Sequence, residues 1–298
     1  MIVGLTGGIG SGKTTVLNFF KEFQNVGIYY QENLHAKYYA NEFKSIISSI
    51  NLHEYSMNNN IEVGVLLERK LYGFGGDSAQ DSEVFDYFNK IIDNNLPLIF
   101  FDRKADIENS SCVETDDVLG GKIATQHLID QGCSQIAYVT VDLNLNIYTN
   151  RFKGYKESLK YNGIDFRKEL VFQANSDIAS GRKVARQILS SDANIDAIFC
   201  SSDYIALGVM QELKEQNVSI PDDVAVVGFS NEPFTELLDL TLTSIEQSPY
   251  EMGKSAARVF LDQMNSNQFK QIETFFETMP KLRHEVMLTN PNTKVESK

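Results

Sequence analysis

Residues 196–231 read DAIFCSSDYIALGVMQELKEQNVSIPDDVAVVGFSN, and this stretch decides the fold. Asp196–Ser202 is a short apolar run of strand formers, and Val224–Phe229 is a second. Between them Ile205, Leu207, Val209, Met210 and Leu213 recur at near-helical spacing. Asp203 can cap that helix, because a carboxylate there accepts a bond from a free first-turn N–H. Asn217 and Pro221 close it. Two strands joined through a helix lie parallel and are buried on both faces. The strand ends, Ser202-Asp203 and Ser230-Asn231, are polar, and in a doubly wound sheet ligands bind outside those carboxyl ends.

Working outward, the same rhythm continues. Ser82–Asn94 is a predicted helix, Pro97 starts a strand within LPLIFFDRK, and the stretch Cys112–Asp116 comes next. Gly120–Gln131 is a helix closed by Gly132, and Ile136–Val141 a strand. Then come helix Arg151–Tyr161, strand Leu170–Ala174 and helix Ser180–Ser190. Thr241–Ile245 leads to a helix over Pro249–Met264, and residues 271–288 supply final strands. Such alternation builds a mostly parallel sheet with helices on both faces.

Several classes are disfavoured by composition. The 298 residues carry a net charge of −13 and a sequence pI near 4.8. Phosphate contacts need clustered Lys and Arg, so this chain is not expected to bind DNA by itself. Cys112, Cys133 and Cys200 are scattered and odd in number, which fits a reducing cytosol. No signal peptide is visible, and no apolar run is long enough to span a membrane. Expected localisation is therefore cytoplasmic. His35, His53, His127 and His284 are scattered, and none is assigned to catalysis.

Near the start, Ile2–Thr6 runs as a strand into Gly7-Gly8-Ile9-Gly10-Ser11-Gly12-Lys13-Thr14, followed by a helical Thr15–Phe23. This is G-x-x-x-x-G-K-[ST] in the strand–loop–helix context that the motif requires. Its backbone N–H groups and helix N-terminus would cradle an anion. Lys13 would reach the β/γ-phosphates of ATP, and Thr14 would hold Mg²⁺. The alternative is a Gly-rich turn that binds nothing.

The phrases SSD-x-x-A-x-G and P-x-D-V-x-V-x-G-F-x-N, together and in order, resemble the LacI/GalR regulators. From Asp81 onward the likeness is continuous. It implies a periplasmic-binding-protein-like type I architecture, in which two Rossmann-like doubly wound subdomains face an interlobe cleft. On this reading residues 1–115 with 243–268 form one subdomain, 116–242 with 269–288 the other, and 289–298 a tail. The resemblance also implies a small-molecule effector and a C₂ homodimer. Arg151, in RFKGY, aligns with an arginine that reaches the effector. Ser202 and Asp203 align with a polar pair at a strand end, Asp203 being either ligand or structural cap. Ser230 stands where sugar-binding members commonly have Asp, and Ser176 where some stack an aromatic. Asp102, with Arg103, ends a first-lobe strand; it faces the cleft, or forms a solvated loop ion pair, or reads as a Walker B carboxylate. These regulators read DNA through a helix-turn-helix headpiece, for which this chain shows no segment, so DNA is expected only through a headpiece supplied elsewhere.

A second resemblance covers roughly the first forty residues. MIVGLTGGIGSGKTTVLNFF is similar to the start of dephospho-CoA kinases. Where those enzymes carry an acidic phrase, this chain has Gln31-Glu32-Asn33, and no Arg-rich lid segment follows. Phosphoryl transfer is mostly positioning and charge neutralisation, so the kinase reading stands second, as does a junction of two unrelated segments between residues 40 and 80.

Overall fold

A computed structural model describes residues 2–4, 27–29, 92–93, 98–101, 107–143, 145–191, 193–248, 252, 255, 258–259, 262–263, 272–276 and 279–281. The nucleotide-loop residues Gly7, Gly8, Gly10, Ser11, Gly12, Lys13 and Thr14 lie outside these, as do Glu32, Asp102, Arg103, the predicted helix Thr15–Phe23 and most of the predicted helix Ser82–Asn94. The chain divides into two compact units, Met1–Thr115 with Ser248–Phe276 and Asp116–Gln247 with Glu277–Lys298.

In the first unit β1 (Ile2–Gly4) pairs in parallel with β2 (Gly27–Tyr29). A second parallel group sets β4 (Ser111–Thr115) between β3 (Ile99–Phe101) and β10 (Glu273–Phe276). Leu98, Ile99, Phe100, Cys112 and Val113 are buried, as expected of a run that packs on both faces. Ser111 Oγ accepts from Gln263 Nε2 at 2.8 Å and from the Ile272 N–H at 3.0 Å.

The second unit is built on four parallel strands in the order β6-β5-β7-β8: β5 (Ile136–Thr140), β6 (Val171–Gln173), β7 (Ala197–Cys200) and β8 (Ala225–Val227). Beyond β8, parallel bridges Val227–Thr243 and Ser230–Glu246 bring in β9 (Ser244–Glu246), which pairs antiparallel with β11 (Met279–Lys281). The chain leaves β5 toward β6, then crosses back past β5 to β7. The topological switch point is therefore between β5 and β7, where open α/β sheets place their ligands.

Helices α1 (Asp117–Asp130) and α2 (Asn146–Tyr161) pack against each other, and so do α3 (Ile178–Leu189) and α4 (Asp203–Glu215). One core joins Ala124, Leu128, Tyr155 and Leu159 to the Tyr138, Phe199 and Phe229 side of the sheet. The other joins Val184, Ile188, Ile205, Val209 and Leu213 to Val139, Ile198 and Val226. Each fully buried large aliphatic chain contributes roughly 1.5–3 kcal/mol. The predicted elements of residues 111–246 are all present, with shifted ends. Helix α1 starts at Asp117 because Asp116 caps it, accepting from the Leu119 N–H at 2.8 Å. Helix α2 starts at Asn146, not Arg151: Ile147 and Tyr148 are buried and extend its apolar stripe through Gly154, Tyr155, Ser158 and Leu159. Arg151 lies on that same inward stripe.

Helix ends follow the expected chemistry. Asn217 adopts φ 58°, and the Val218 N–H donates back to the Leu213 carbonyl at 2.9 Å, the reverse turn that ends α4. Gly132, with φ 94°, ends α1 in the same way, the Cys133 N–H reaching Leu128 O at 3.1 Å. The helix pairs come very close. A Cβ on Gly154 would sit 2.2 Å from the Val118 carbonyl oxygen, and one on Gly208 would sit 2.1 Å from that of Ile178. Only glycine permits backbones at that distance.

Candidate functional site

The carboxyl ends of β5 to β9 gather the polar residues of the second unit. Arg151, on the first half of α2, points into them and is 3% exposed. Its Nε donates to Asp117 Oδ1 at 2.8 Å, and Nη1 donates to the Ser201 carbonyl at 2.7 Å. Its Cζ lies 3.7 Å from the centroid of the Phe229 ring, a contact worth about 2 kcal/mol where water is excluded. Asp117 is itself 4% exposed, so this is a buried, hydrogen-bonded ion pair. Arg151 thus ties α1, α2 and the end of β7 together across the switch point. Asp117 was not legible as a site residue: it lies 34 positions from its partner, and in the sequence it is an ordinary first-turn acid.

Ser202 and Asp203 follow β7 directly, and the structure gives them different work. Ser202 occupies the N-cap position of α4 but makes no side-chain cap bond. Its Oγ lies 3.0 Å from Ser176 Oγ, so the two hydroxyls, at the ends of β7 and β6, form one pair. Asp203 is the first helical residue and does not cap, contrary to the expectation from its place before the helix. It is fully buried, accepting from the Glu232 N–H at 2.8 Å and from Ser244 Oγ at 2.7 Å. A cap carboxylate must turn back to its own helix; this one reaches across to the β8 loop and β9 instead. Gly228 makes room for it, since a Cβ there would fall 2.1 Å from Asp203 Oδ1. Burial pushes the Asp203 carboxyl up to about 6, against the pull of its hydrogen bonds and of Arg151.

Ser230 and Asn231 lie on the loop that Asp203 holds. Both have positive φ, 116° and 50°, a strained backbone for residues with side chains. The Asn231 N–H donates to Ser244 Oγ at 3.0 Å, and Asn231 Nδ2 donates to Glu246 Oε2 at 2.8 Å. The structure therefore brings Arg151, Ser176, Ser202, Asp203 and Ser230 to one edge of one sheet, and adds Asp117, Phe229, Ser244 and Glu246. Ser201 Oγ, fully buried beside them, has no protein partner among the described residues. Among the described residues no group of three His, Cys, Asp or Glu could hold a metal ion, and no helix is long and apolar enough to cross a membrane.

Parallel strands with helices on both faces, and polar residues gathered at the switch point, define an α/β ligand-binding domain. The chain belongs to the family described as periplasmic binding protein-like domain, which matches residues 125–284. Its relatives include a bacterial operon repressor and a bacterial transcriptional regulator. It is 31% identical over 186 residues to the ribose operon repressor of Halalkalibacterium halodurans, and 29% identical over 185 residues to the HTH-type transcriptional regulator CelR of Thermobifida fusca. These alignments cover 62% and 61% of this chain but 54% of each relative, so the chain spans about half the length of the curated relatives it matches. Among solved structures, a CelR–cellobiose complex superposes with a TM-score of 0.72 at 21% identity, covering 95% of this chain and 83% of the other. A LacI-family regulator from Enterococcus faecium with bound ribose gives 0.70 at 21% identity, covering 95% and 97%. The fold is thus the one these effector-binding domains share, and the matches support the sensing reading over the kinase one.

Proposed function

We propose that this chain is the effector-sensing core of a LacI/GalR-like transcriptional regulator, working in the cytoplasm as a homodimer and binding a sugar or phosphorylated metabolite. The observation that carries the reading is that Arg151, the Ser176–Ser202 hydroxyl pair and Ser230 lie along the carboxyl ends of the strands of a domain in this family. A ligand there acts by its differential affinity for two conformations of the core, and it can shift their balance by no more than that difference. DNA contact falls to a helix-turn-helix segment and not to this acidic chain, whose net charge of −13 repels phosphates.

Thermal shift and isothermal titration with ribose, cellobiose and ribose 5-phosphate test this reading. A ligand present at a hundred times its Kd raises stability by about 2.7 kcal/mol, which a melting curve resolves easily. Silence with every sugar and sugar phosphate counts against it. A second reading, ATP with Mg²⁺ held by Gly7–Thr14, rests on the sequence motif alone. It predicts heat with ATP and Mg²⁺ that Lys13→Ala abolishes. Turnover of ATP to ADP would favour the kinase alternative.

A further inference from the structure

The outer face of α2 runs against the charge of the chain. Acids outnumber bases by 40 to 27 in the whole sequence, yet residues 151–168, RFKGYKESLKYNGIDFRK, hold six bases and two acids. Arg151 is turned inward. Lys153, Lys156 and Lys160 are spaced three and four apart, so they share the outward face, and all three are exposed. Glu157 already serves Lys122 on α1 at 2.7 Å, with Lys153 at 4.0 Å. Lys156 and Lys160 have no carboxylate partner among the described residues. Like charges four apart destabilise a helix, so helix stability does not account for this pair. Apolar surface adjoins the lysines. Tyr161 is 87% exposed and Phe166 43%. Lys156 Nζ lies 4.5 Å from the centroid of the Phe152 ring, and Phe166 sets its edge against that ring at 5.8 Å. Phe152 in turn stacks on the buried Tyr138 at 5.2 Å, so the aromatic ridge is anchored in the core. Protein interfaces place aromatic residues centrally and charges at a rim that selects the partner.

We propose that this face, formed by Lys153, Lys156, Lys160, Tyr161 and Phe166, docks an acidic segment of another protein, one that carries an apolar residue among its carboxylates. Charge complementarity picks the occupant. Lys156 and Lys160 each meet a carboxylate, and Tyr161 and Phe166 cover the apolar side chain. A second copy of this chain fits poorly. Paired about a two-fold axis the face meets itself, Lys against Lys, and a head-to-tail contact makes rings or open filaments, not a two-fold dimer. Nucleic acid and anionic lipid present extended surfaces, which meet the net charge of −13 as well as these lysines. A short acidic segment meets the face alone. Arg151 is on the inward stripe of α2, so docking here is separate from the effector site proposed above.

Fluorescence anisotropy of the full-length chain with a fluorescein-labelled peptide of Glu-Glu-Phe repeats tests this, with a Gln-Gln-Phe peptide as its uncharged counterpart. The acidic peptide should bind, and the uncharged one should bind at least about tenfold more weakly. Lys156→Glu with Lys160→Glu should weaken the acidic peptide about tenfold, and high salt should weaken it too. Tyr161→Ala should weaken it several-fold. These side chains are exposed, so the variants should melt where the wild type does. Should the double charge reversal fail to fold, Lys156→Gln with Lys160→Gln carries the same test. Equal binding of the two peptides, or an affinity that the lysine changes leave unmoved, overturns the proposal. Silence with the acidic peptide overturns it as well, whether or not phosphatidylserine vesicles or single-stranded DNA bind through Lys156 and Lys160. An unmoved affinity in Tyr161→Ala overturns the aromatic part of the contact. Sedimentation in which Lys156→Glu with Lys160→Glu dissociates a wild-type oligomer would assign the face to a second copy of the chain and overturn the acidic partner.

Discussion

The two ends of α4 each bury a carboxylate, and they treat it in opposite ways. Near the C-terminus Glu212, 1% exposed, accepts from Arg182 and Arg186 and also from Gln216. Those hydrogen bonds hold its carboxyl down at about 2. At the N-terminus Asp203 has no cation bonded to it among the described residues; its partners there are a backbone N–H and a hydroxyl, and burial lifts it to about 6. One end over-compensates its charge and joins two helices. The other leaves charge under-compensated beside residues with strained backbones. Packing regions resolve their polar groups among themselves, whereas a binding edge leaves some of that capacity for a ligand.

Removing Arg151, which pairs with Asp117 beside the N-terminal end, should contrast most widely with removing Arg186 at the other. Arg151→Met leaves Asp117 buried without its partner, and breaking such a pair costs about 3–5 kcal/mol. In urea the midpoint should fall steeply, and effector binding should be lost with it. A smaller loss, of less than about 1 kcal/mol, would mean that the buried pair is wetter than its 3% and 4% exposures imply.

The pH response should separate the same two ends by sign. Asp203 has a folded value above its ordinary 3.8, so the folded state holds this proton more tightly. Its contribution is most favourable below pH 3.8 and is lost as pH rises through about 6. A carboxyl raised from 3.8 to about 6 loses ~3 kcal/mol across that window. Glu212 runs the other way: its stabilisation is present above pH 4.5 and is lost as pH falls toward about 2. Asp203→Asn should remove the decline between pH 4 and 6 when unfolding free energies are compared pH by pH. An unchanged slope would show that Asp203 titrates normally.

Much of this was legible from residues alone. The strand–helix–strand pattern of 196–231, the alternation around it and the polar strand ends are local periodicities, and they survive folding with ends moved by a few residues. Arg151, Ser176, Ser202, Asp203 and Ser230 were nameable because phrases carry them. What sequence could not supply was tertiary pairing. Nothing near Asp117 announces Arg151, and nothing near Gly228 announces the Asp203 carboxylate that fills its empty side. The role given to Asp203 shows the same limit, because capping is a local inference and its partners at Glu232 and Ser244 are 29 and 41 residues away.

The glycines extend the contrast to the two helix pairs. Gly154→Ala would press a methyl group onto the Val118 carbonyl, and Gly208→Ala one onto that of Ile178. Overpacking of this kind costs about 1–3 kcal/mol in either place. Only Gly154→Ala parts α1 from α2 beside Asp117 and Arg151, so only it should weaken effector binding beyond its effect on stability. Equal effects of both on affinity would mean that the ion pair tolerates a shift between its helices.

The smallest effect belongs to Arg186, and its smallness is informative. Its side chain is 58% exposed, and it shares Glu212 with Arg182, at 28%. Arg186→Ala therefore removes one of two cations from a carboxylate that keeps the other. Exposed pairs contribute little to stability, and screening by salt reduces that further. Urea unfolding should show a small fall in midpoint, far short of that for Arg151→Met, and high salt should shrink it again. If Arg186→Ala instead cost as much as Arg151→Met, the two ends of α4 would be alike in their reliance on charge. Compensation by a second arginine would then no longer mark which end is built for packing.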